Sequence, residues 1–267
     1  MKTYSAGMPW MIVRLKGQSF ALPTQEVREL VMKPQITMVP DAPEYVRGVM
    51  NLRGRVVTVV DLRKRLGMTP ASEEVESFCA LMAQRRQDHV NWLTELEASV
   101  RERREFKLAT DSHKCAFGRW YDTYKPDNVW IGALLGRFAE PHRRVHSTAG
   151  EVLAFESRED WEGALGLIEH TRSGELATMI GLFANLQDLI RESRQEIAVV
   201  LETGNRLFAV LVDEAVAVEK FEGENLGPLP VTTSDGVVAQ FGRKAEALVL
   251  MVSTERLLNP PHGSAGS

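Results

Sequence analysis

The sequence predicts an α+β protein of more than one domain, in which a four-helix bundle interrupts a β-sheet domain built of two small barrels. Three observations support this fold class. Strand-like alternation with hairpin signals covers residues 11–67 and returns over residues 196–258. Between these stretches, from about residue 71 to residue 194, β-branched residues become rarer and apolar residues follow helical spacing. The two strand-like stretches echo each other, which indicates either two related barrels or only the common form of β-hairpins.

The composition indicates an ordinary globular protein. The chain has 267 residues, of which 44% are hydrophobic and 25% charged, with a formal net charge of −4. The mildly acidic balance argues against a nucleic-acid partner, and the apolar runs are too short for a secretory signal or for membrane insertion. Two cysteines, Cys79 and Cys115, are too few for a disulfide framework. We therefore expect a cytoplasmic protein in which a cysteine among histidines serves metal or redox chemistry.

The first strand-like stretch contains two hairpin signals, a short helix and a helical turn. Thr24 is expected to cap a helix that runs to about Leu30, because Glu26 follows in its first turn. Asp61 is expected to begin a helical turn that ends at Gly67. The predicted strands cover residues 11–15 and 19–22 and two β-branched runs on either side of Arg53-Gly54.

The second strand-like stretch has the same pattern. Thr203-Gly204-Asn205 is a strong hairpin signal, residues 223–230 read as a loop, and Ser253 is expected to cap a short terminal helix. Residues 259–267, with two prolines followed by glycine and serine, indicate a disordered tail. The predicted strands cover residues 197–201, 207–212, 215–221, 237–241 and 247–252.

The central region predicts two long amphipathic helices and, between them, two shorter ones over residues 128–139 and 141–155. Four such helices bury their apolar stripes most simply as an antiparallel bundle. The first stripe is Val75, Phe78, Met82, His89, Trp92, Leu96 and Val100, and the second is Trp161, Leu165, Ile168, Met179, Phe183, Leu186 and Ile190.

Polar residues on the inward faces of this bundle indicate a metal site. His89 lies on the first apolar stripe, and His142 and His146 project from one face of a helix, one turn apart. Three imidazoles and the Cys115 thiol make a full tetrahedral set for zinc. Other readings stay open at this point, because a lone inward histidine is often only hydrogen-bonded in the core and helical His-x-x-x-His pairs are common without metal.

These residues resemble the chemoreceptor zinc-binding domain. Its motif is a histidine closely followed by an aromatic residue, then Cys-x-(aliphatic or aromatic)-Gly-x-aromatic, then His-x-x-x-His. The chain matches with His89-Val90-Asn91-Trp92, with residues 115–120 and with His142-x-x-x-His146. The resemblance covers roughly residues 74–194 and implies that His89, Cys115, His142 and His146 hold Zn²⁺. His113 and His170 match no motif position and are expected to be surface residues.

The flanking stretches resemble the coupling protein of bacterial chemotaxis, CheW. Residues 43–63, with Asn51-Leu52-Arg53-Gly54 followed by a strand and Asp61-Leu62-Arg63, carry the resemblance, and Val212-Asp213-Glu214 resembles a signature of the second half. The implied fold is two five-stranded SH3-like barrels that share a core. The chain departs from the family at residues 237–246, which lack its usual glycine-rich run.

This second resemblance implies a function without catalysis. Proteins of this kind join a CheA-type histidine kinase to methyl-accepting chemoreceptors, and Val27, Glu29, Arg53 and Gly54 correspond to the coupling surfaces. Val27 and Glu29 are expected on the predicted helix and Arg53 in an exposed glycine turn. Asp61 is a weaker candidate, because capping the helical turn explains it.

Together, the resemblances predict a chemotaxis adaptor with a zinc-thiolate sensor for an oxidant such as hypochlorous acid, or for zinc. The alternatives are a scaffold in which zinc is purely structural and, less favoured, a zinc hydrolase, which would need an open coordination position. Bundles of this kind often pair, so a second copy of the chain is a further candidate partner. The predicted domains are residues 8–69 and 196–258 for the CheW-like part, residues 70–195 for the inserted bundle, and the tail.

Overall fold

The computed structural model describes residues 7–32, 34–126, 128–193, 196–231, 236–244 and 246–258. The predicted tail over residues 259–267 lies outside the described residues. Contacts divide the chain into two compact units. The first unit combines Met1–Glu74 with Arg194–Ser267, and the second is Val75–Ser193.

The first unit consists of twelve described strands and two short helices. The helices are α1 (Leu62–Arg65) and α8 (Thr254–Leu257). The strands in chain order are β1 (Pro9–Leu15), β2 (Gln18–Pro23), β3 (Val27–Met32), β4 (Ile36–Thr37), β5 (Val46–Leu52), β6 (Arg55–Asp61), β7 (Ile197–Thr203), β8 (Arg206–Val212), β9 (Glu214–Lys220), β10 (Leu226–Pro228), β11 (Val238–Lys244) and β12 (Ala247–Val252).

The strands form two sheets with matching order. One sheet runs β10-β11-β12-β2-β1-β9 and the other β4-β5-β6-β8-β7-β3. In each, the strand that leads into a short helix pairs in parallel with the second strand of a hairpin, β12 with β2 and β6 with β8. Each half of the unit therefore contributes its hairpin to the sheet of the other half. The matching order favours two related β units over a chance likeness of hairpins. Because each sheet takes strands from before and after the bundle, neither segment forms a complete sheet by itself.

A shared apolar core lies between the sheets. It takes Val13 and Phe20 from one sheet and Val199 and Phe208 from the other, all at most 3% exposed. Burying a side chain of this size contributes roughly 1.5–3 kcal/mol. Since β8 is buried along most of its length, its run of apolar residues is typical of a strand covered on both faces.

The prediction of a helix from Thr24 to Leu30 is wrong. Thr24–Glu26 form one 3-10 turn, and the chain continues as the edge strand β3, which pairs with β7. Val27 and Glu29 therefore lie on a strand rather than on a helix. The alternation of half-buried and exposed residues along β3 and the ladder to β7 outweigh the capping signal at Thr24.

Two further details differ from the predictions. Each sheet has six described strands rather than five, because the short strands β4 and β10 extend one edge of each sheet. The predicted loop over residues 223–230 contains a 3-10 turn, Gly223–Asn225, and the strand β10. The helical turn after Asp61 is confirmed, since its carboxylate accepts a hydrogen bond from the Lys64 amide.

The second unit is helical. Its core is continuous and includes Leu93, Phe117, Phe138, Val145 and Phe183, none more than 1% exposed. A π-helical turn, Arg172–Leu176, joins the last two helices into one rod. Over the described residues, no helix combines the length and the apolar character needed to cross a bilayer. The helices are α2 (Ala71–Glu102), whose first turn belongs to the first unit, α3 (Ala116–Thr123), α4 (Val129–Gly136), α5 (Ala139–Glu156), α6 (Trp161–Thr171) and α7 (Ala177–Ser193).

Candidate metal centre

Four side chains of the helical unit converge on one point. One ligand atom from each of His89, Cys115, His142 and His146 lies within 4.8 Å of the others. The three histidines are 2–5% exposed and the cysteine is half-buried. Helix α2 supplies the first, the amino-terminal cap of α3 the second, and α5 the last two, one turn apart. Three elements thus meet at one cluster of nitrogen and sulfur atoms.

A backbone carbonyl orients His89. Its Nδ1 lies 2.7 Å from the carbonyl oxygen of Arg85, one helical turn earlier. Since a carbonyl oxygen only accepts, Nδ1 carries the proton and donates it. The unprotonated Nε2 then faces Cys115, with its Sγ 3.9 Å away. A histidine fixed in this way presents a lone pair to a metal ion.

A backbone carbonyl orients His146 as well. Its Nδ1 lies 3.2 Å from the carbonyl oxygen of Ala109, in the segment that connects α2 to α3. Its Nε2 is fully buried and has no hydrogen-bond partner among the described residues. A buried nitrogen without a partner costs about 1–3 kcal/mol. Coordination of a metal ion would remove that cost.

Cys115 caps α3 through its sulfur. The Gly118 amide donates to Sγ at 3.1 Å, and Nε2 of His142 lies 3.3 Å from the same sulfur. A Cβ at Gly118 would come within 1.9 Å of the Ser112 carbonyl oxygen, so only glycine allows this close approach. Burial raises the pKa of the Cys115 thiol, against the opposing effect of the backbone amides of Gly118 and Phe117. Metal binding would reverse that balance by holding the thiolate.

Burial keeps the histidines neutral. It lowers the pKa of His142 to about 3 and that of His146 to about 4, with the neighbouring His89 adding to both shifts. Burial also lowers the pKa of His89, despite its bond to the Arg85 carbonyl. Phe117 packs edge-on against His89 and His142 at centroid distances of 5.8 and 5.0 Å. At neutral pH the apolar surroundings therefore hold three neutral imidazoles, each with one unprotonated ring nitrogen.

The lowered pKa values predict a pH dependence for the chelator-treated protein. Between about pH 6.5 and pH 4 the unfolded chain takes up protons at His142 and His146 that the folded chain refuses. The free energy of unfolding should therefore fall as the pH falls, by up to about 1.4 kcal/mol per pH unit for each proton, and level off below the folded pKa values. Urea unfolding in EDTA at a series of pH values measures this. A stability that stays constant from pH 7 to pH 5 contradicts it.

The donor set fits zinc. Zn²⁺ in structural sites takes four nitrogen and sulfur ligands in a tetrahedron. Three imidazole nitrogens and one sulfur, gathered within 4.8 Å, are such a set. Four protein ligands would fill the tetrahedron, whereas catalytic zinc sites keep one position open for water or substrate.

The remaining histidines singled out from the sequence lie elsewhere. His113 is exposed and pairs with Asp122, its Nδ1 2.9 Å from the carboxylate, and His170 is an exposed residue of α6. Both positions agree with the expectation of surface residues.

The predicted coupling residues lie in the β unit. Arg53 and Gly54 form the β5–β6 turn with φ values of +51° and +86°, and Asn51 accepts the Gly54 amide at 2.8 Å. Nη2 of Arg53 lies 2.8 Å from the Glu29 carboxylate on β3, and the Arg53 side chain is 81% exposed. Val27 is half-buried at the start of β3. Glu29 and Arg53 are 24 residues apart in the chain, and the fold brings them together as an ion pair.

Sequence reasoning missed a buried arginine network in the same unit. Arg63, with a side chain 2% exposed, donates to both carboxylate oxygens of Asp213 at 2.8 and 2.5 Å and to Glu74 at 2.8 Å. Glu74 also pairs with Lys16 at 2.8 Å. Although burial acts in the opposite direction, the hydrogen bonds from Lys16 and Arg63 lower the pKa of Glu74. The sequence contained one signal for this network. Arg63 and Asp213 both lie in segments that carry the resemblance to CheW, Asp61-Leu62-Arg63 and Val212-Asp213-Glu214.

Comparison with family models gives two matches. The model of the CheW-like domain matches residues 9–91 and 174–261, which together are more than half of the chain. The model of the chemoreceptor zinc-binding domain matches residues 89–153, between the two CheW-like segments. All four side chains of the candidate metal centre fall in that range.

Curated relatives match over part of their length. A probable chemotaxis protein CheW of Rhizobium etli is 34% identical over 87 residues, which are 33% of this chain and 56% of the relative. The chemotaxis protein CheW of Bacillus subtilis is 30% identical over 89 residues, with the same two shares. The chain thus spans about half the length of the curated relatives it matches. A solved structure, the scaffolding protein TtCheW from Thermoanaerobacter tengcongensis, aligns with a TM-score of 0.45 and 13% identity over 95% of this chain and 94% of that chain.

Proposed function

Since the chain belongs to the CheW-like family and contains a match to the chemoreceptor zinc-binding domain between its two CheW-like segments, we propose that it is a cytoplasmic, non-catalytic adaptor of bacterial chemotaxis. In this proposal, residues 8–69 and 196–258 couple chemoreceptors to a CheA-type histidine kinase. Residues 70–195 are an inserted zinc domain that senses an oxidant through Cys115. The observation that carries the proposal is the convergence of three buried imidazoles and one thiol inside a chain of the CheW-like family.

The coupling surface of this proposal includes the ion pair at the edge of the second sheet. Arg53 projects from a glycine turn with most of its side chain in solvent, and Glu29 holds it from β3. Two charges on an exposed turn and an edge strand offer a partner both electrostatic contacts and open backbone groups. Val27 and Gly54 flank these charges and complete the surface.

The sensing step of this proposal is oxidation of the Cys115 sulfur. Hypochlorous acid and a thiolate give a sulfenic acid and a chloride ion, so sulfur loses two electrons and chlorine gains them. A sulfenic acid is a poor metal ligand, and loss of one of four ligands would weaken the joint between α2, α3 and α5. Cys115 is half-buried, whereas the three histidines are buried, so we propose that it is the donor of the four that an oxidant as small as hypochlorous acid reaches.

Helix α2 offers a route from this site to the β unit. It is continuous from Ala71 to Glu102 and carries His89 at its middle. In its first turn, within the β unit, Glu74 is held by Arg63 and Lys16. We propose that a change in zinc occupancy alters the dynamics of α2 and thereby the affinity of the adaptor for its partners. A coupling of about 1–3 kcal/mol would change that affinity 5- to 150-fold.

A reconstituted receptor–kinase assembly tests both halves of the proposal. With zinc-loaded wild-type chain, we expect kinase activity to depend on the adaptor and to change at least about fivefold after hypochlorous acid treatment. Arg53→Glu should lower the activity that depends on the adaptor, because it places a like charge beside Glu29. Cys115→Ser should remove the response to the oxidant. Phosphorylation of the kinase with radiolabelled ATP measures each effect.

Matched variants make the outcomes specific. Arg55→Glu makes the same charge change on the exposed first residue of β6, and Cys79→Ser removes the other cysteine of the chain. Both should behave as wild type. An assembly whose activity is independent of the chain contradicts the adaptor function. An oxidant response that survives in Cys115→Ser contradicts the sensor and leaves zinc as a structural ion.

A further inference from the structure

Trp92 contacts the metal centre without being one of its candidate ligands. It lies on α2 one turn after His89, is 6% exposed, and packs its ring against that of His146 with centroids 4.8 Å apart. Its indole Nε1 donates to the carbonyl oxygen of Ala109 at 2.9 Å. That oxygen also accepts from Nδ1 of His146 at 3.2 Å. The Ala109 carbonyl oxygen therefore accepts two hydrogen bonds, one from the ring N–H of Trp92 and one from that of His146, which uses both of its lone pairs.

The Ala109 carbonyl needs an anchor because of where it lies. It belongs to the segment between α2 and α3, which has no regular secondary structure from Arg104 to Thr110. Phe106 packs edge-on against Trp92 at a centroid distance of 5.1 Å, so the same indole ring contacts this segment twice. Trp92 and His146 reach it from two different helices. The Ala109 carbonyl is thus hydrogen-bonded by both Trp92 and His146.

We infer that Trp92 is a positioning residue of the metal centre, which holds the Ala109 carbonyl as the hydrogen-bond acceptor that orients His146. With Nδ1 donating to this oxygen, the ring turns its Nε2 toward His89, Cys115 and His142. Without the indole N–H, the carbonyl has one partner fewer and the connecting segment is free to move away. The His146 ring would then lose its fixed tautomer and orientation. The inference rests on the proposed zinc site and assigns the control of its affinity to a residue outside the donor set.

The size of the effect follows from comparable sites. Loss of a hydrogen bond to the outer nitrogen of a metal-bound histidine typically lowers metal affinity 10- to 100-fold. We expect that loss for Trp92→Phe, which keeps an aromatic ring against His146 and Phe106 but removes the N–H donor. The zinc content at saturation should stay unchanged, because all four donor side chains remain.

Zinc competition with a chromophoric chelator on the full-length protein tests the inference. The deciding arm replaces Trp92 by benzothienylalanine, which keeps the fused ring but has sulfur in place of the N–H. It should lower zinc affinity as Trp92→Phe does, and the cobalt-substituted protein should show shifted d–d absorption. If Trp92→Phe fails to fold, the isosteric replacement still separates the donor from ring packing.

Trp120→Phe is the matched control. Trp120 is a half-buried tryptophan of the same unit that stacks on Tyr124 at 4.6 Å and contacts Phe117. Its replacement should change stability but leave zinc affinity within about twofold, because its ring packs on Tyr124 and Phe117, outside the hydrogen bonds that orient His146. Wild-type zinc affinity with benzothienylalanine at position 92 would overturn the inference alone. A wild-type protein that binds neither zinc nor cobalt would instead overturn the proposed zinc site.

Discussion

Replacement of His142 by alanine is expected to empty the metal centre and to lower the stability of the helical unit strongly. His142 is 5% exposed, and its Nε2 lies 3.3 Å from the Cys115 sulfur. Zinc bound by four protein ligands contributes on the order of 10 kcal/mol to small zinc domains. With one ligand gone, the variant should purify with little zinc, and its melting temperature should no longer respond to EDTA. Elemental analysis and thermal unfolding with and without chelator measure both.

His170→Ala is the control for this prediction. It removes an exposed histidine of α6 outside the cluster and should leave zinc content and the EDTA response as in wild type. Stoichiometric zinc in His142→Ala, resistant to chelation, would contradict the assignment of the centre. Equal loss of zinc in both variants would contradict it as well.

Replacement of Arg63 by alanine is expected to destabilise the β unit by about 3–5 kcal/mol, the usual consequence of removing one partner from a buried ion pair. The Arg63 side chain is 2% exposed, and its guanidinium forms charge-assisted bonds with Asp213 and Glu74. Without it, two carboxylates remain in a partly buried site with fewer donors, which leaves their charge poorly compensated. Urea unfolding followed by far-ultraviolet circular dichroism measures the change.

Lys64→Ala is the matched control for Arg63→Ala. Lys64 is the next residue of α1, is 36% exposed, and lies 3.9 Å from the Glu44 carboxylate. Exposed ion pairs contribute about 0–1 kcal/mol, so this variant should unfold close to wild type. Similar unfolding of the two variants would show that the Arg63 network does not hold the β unit together.

Much of the domain organisation could be predicted from residue patterns, because it depends on the spacing of residues that are close in the chain. The change from strand-like to helical periodicity near residue 71, and back near residue 196, marks where a helical unit interrupts a β unit. His142 and His146 share a helix face by their spacing alone. Asp61 caps α1 because its carboxylate reaches an amide three residues later. Contacts within one turn of chain leave a local signature.

The metal centre was readable for a further reason. His89 stands on an apolar stripe and Cys115 begins the motif with Gly118, whose missing side chain allows the close approach to Ser112. The four donor residues were named from their types and spacing together with the family resemblance, and the structure places them within 4.8 Å of one another. Their role as zinc ligands stays a prediction that the His142 variant tests.

What the sequence by itself determined is most of the long strands and helices, the interruption of one unit by another, and the residue types that converge on the metal centre. Only the tertiary structure decided that residues 27–32 form an edge strand rather than a helix, because the ladder to β7 supplies hydrogen bonds that a local capping signal cannot match. It also decided the exchange of hairpins between the sheets, the pairing of Arg63 with Asp213 and the shared carbonyl of Ala109. These contacts join residues far apart in the chain, and a backbone carbonyl leaves no trace in residue identity.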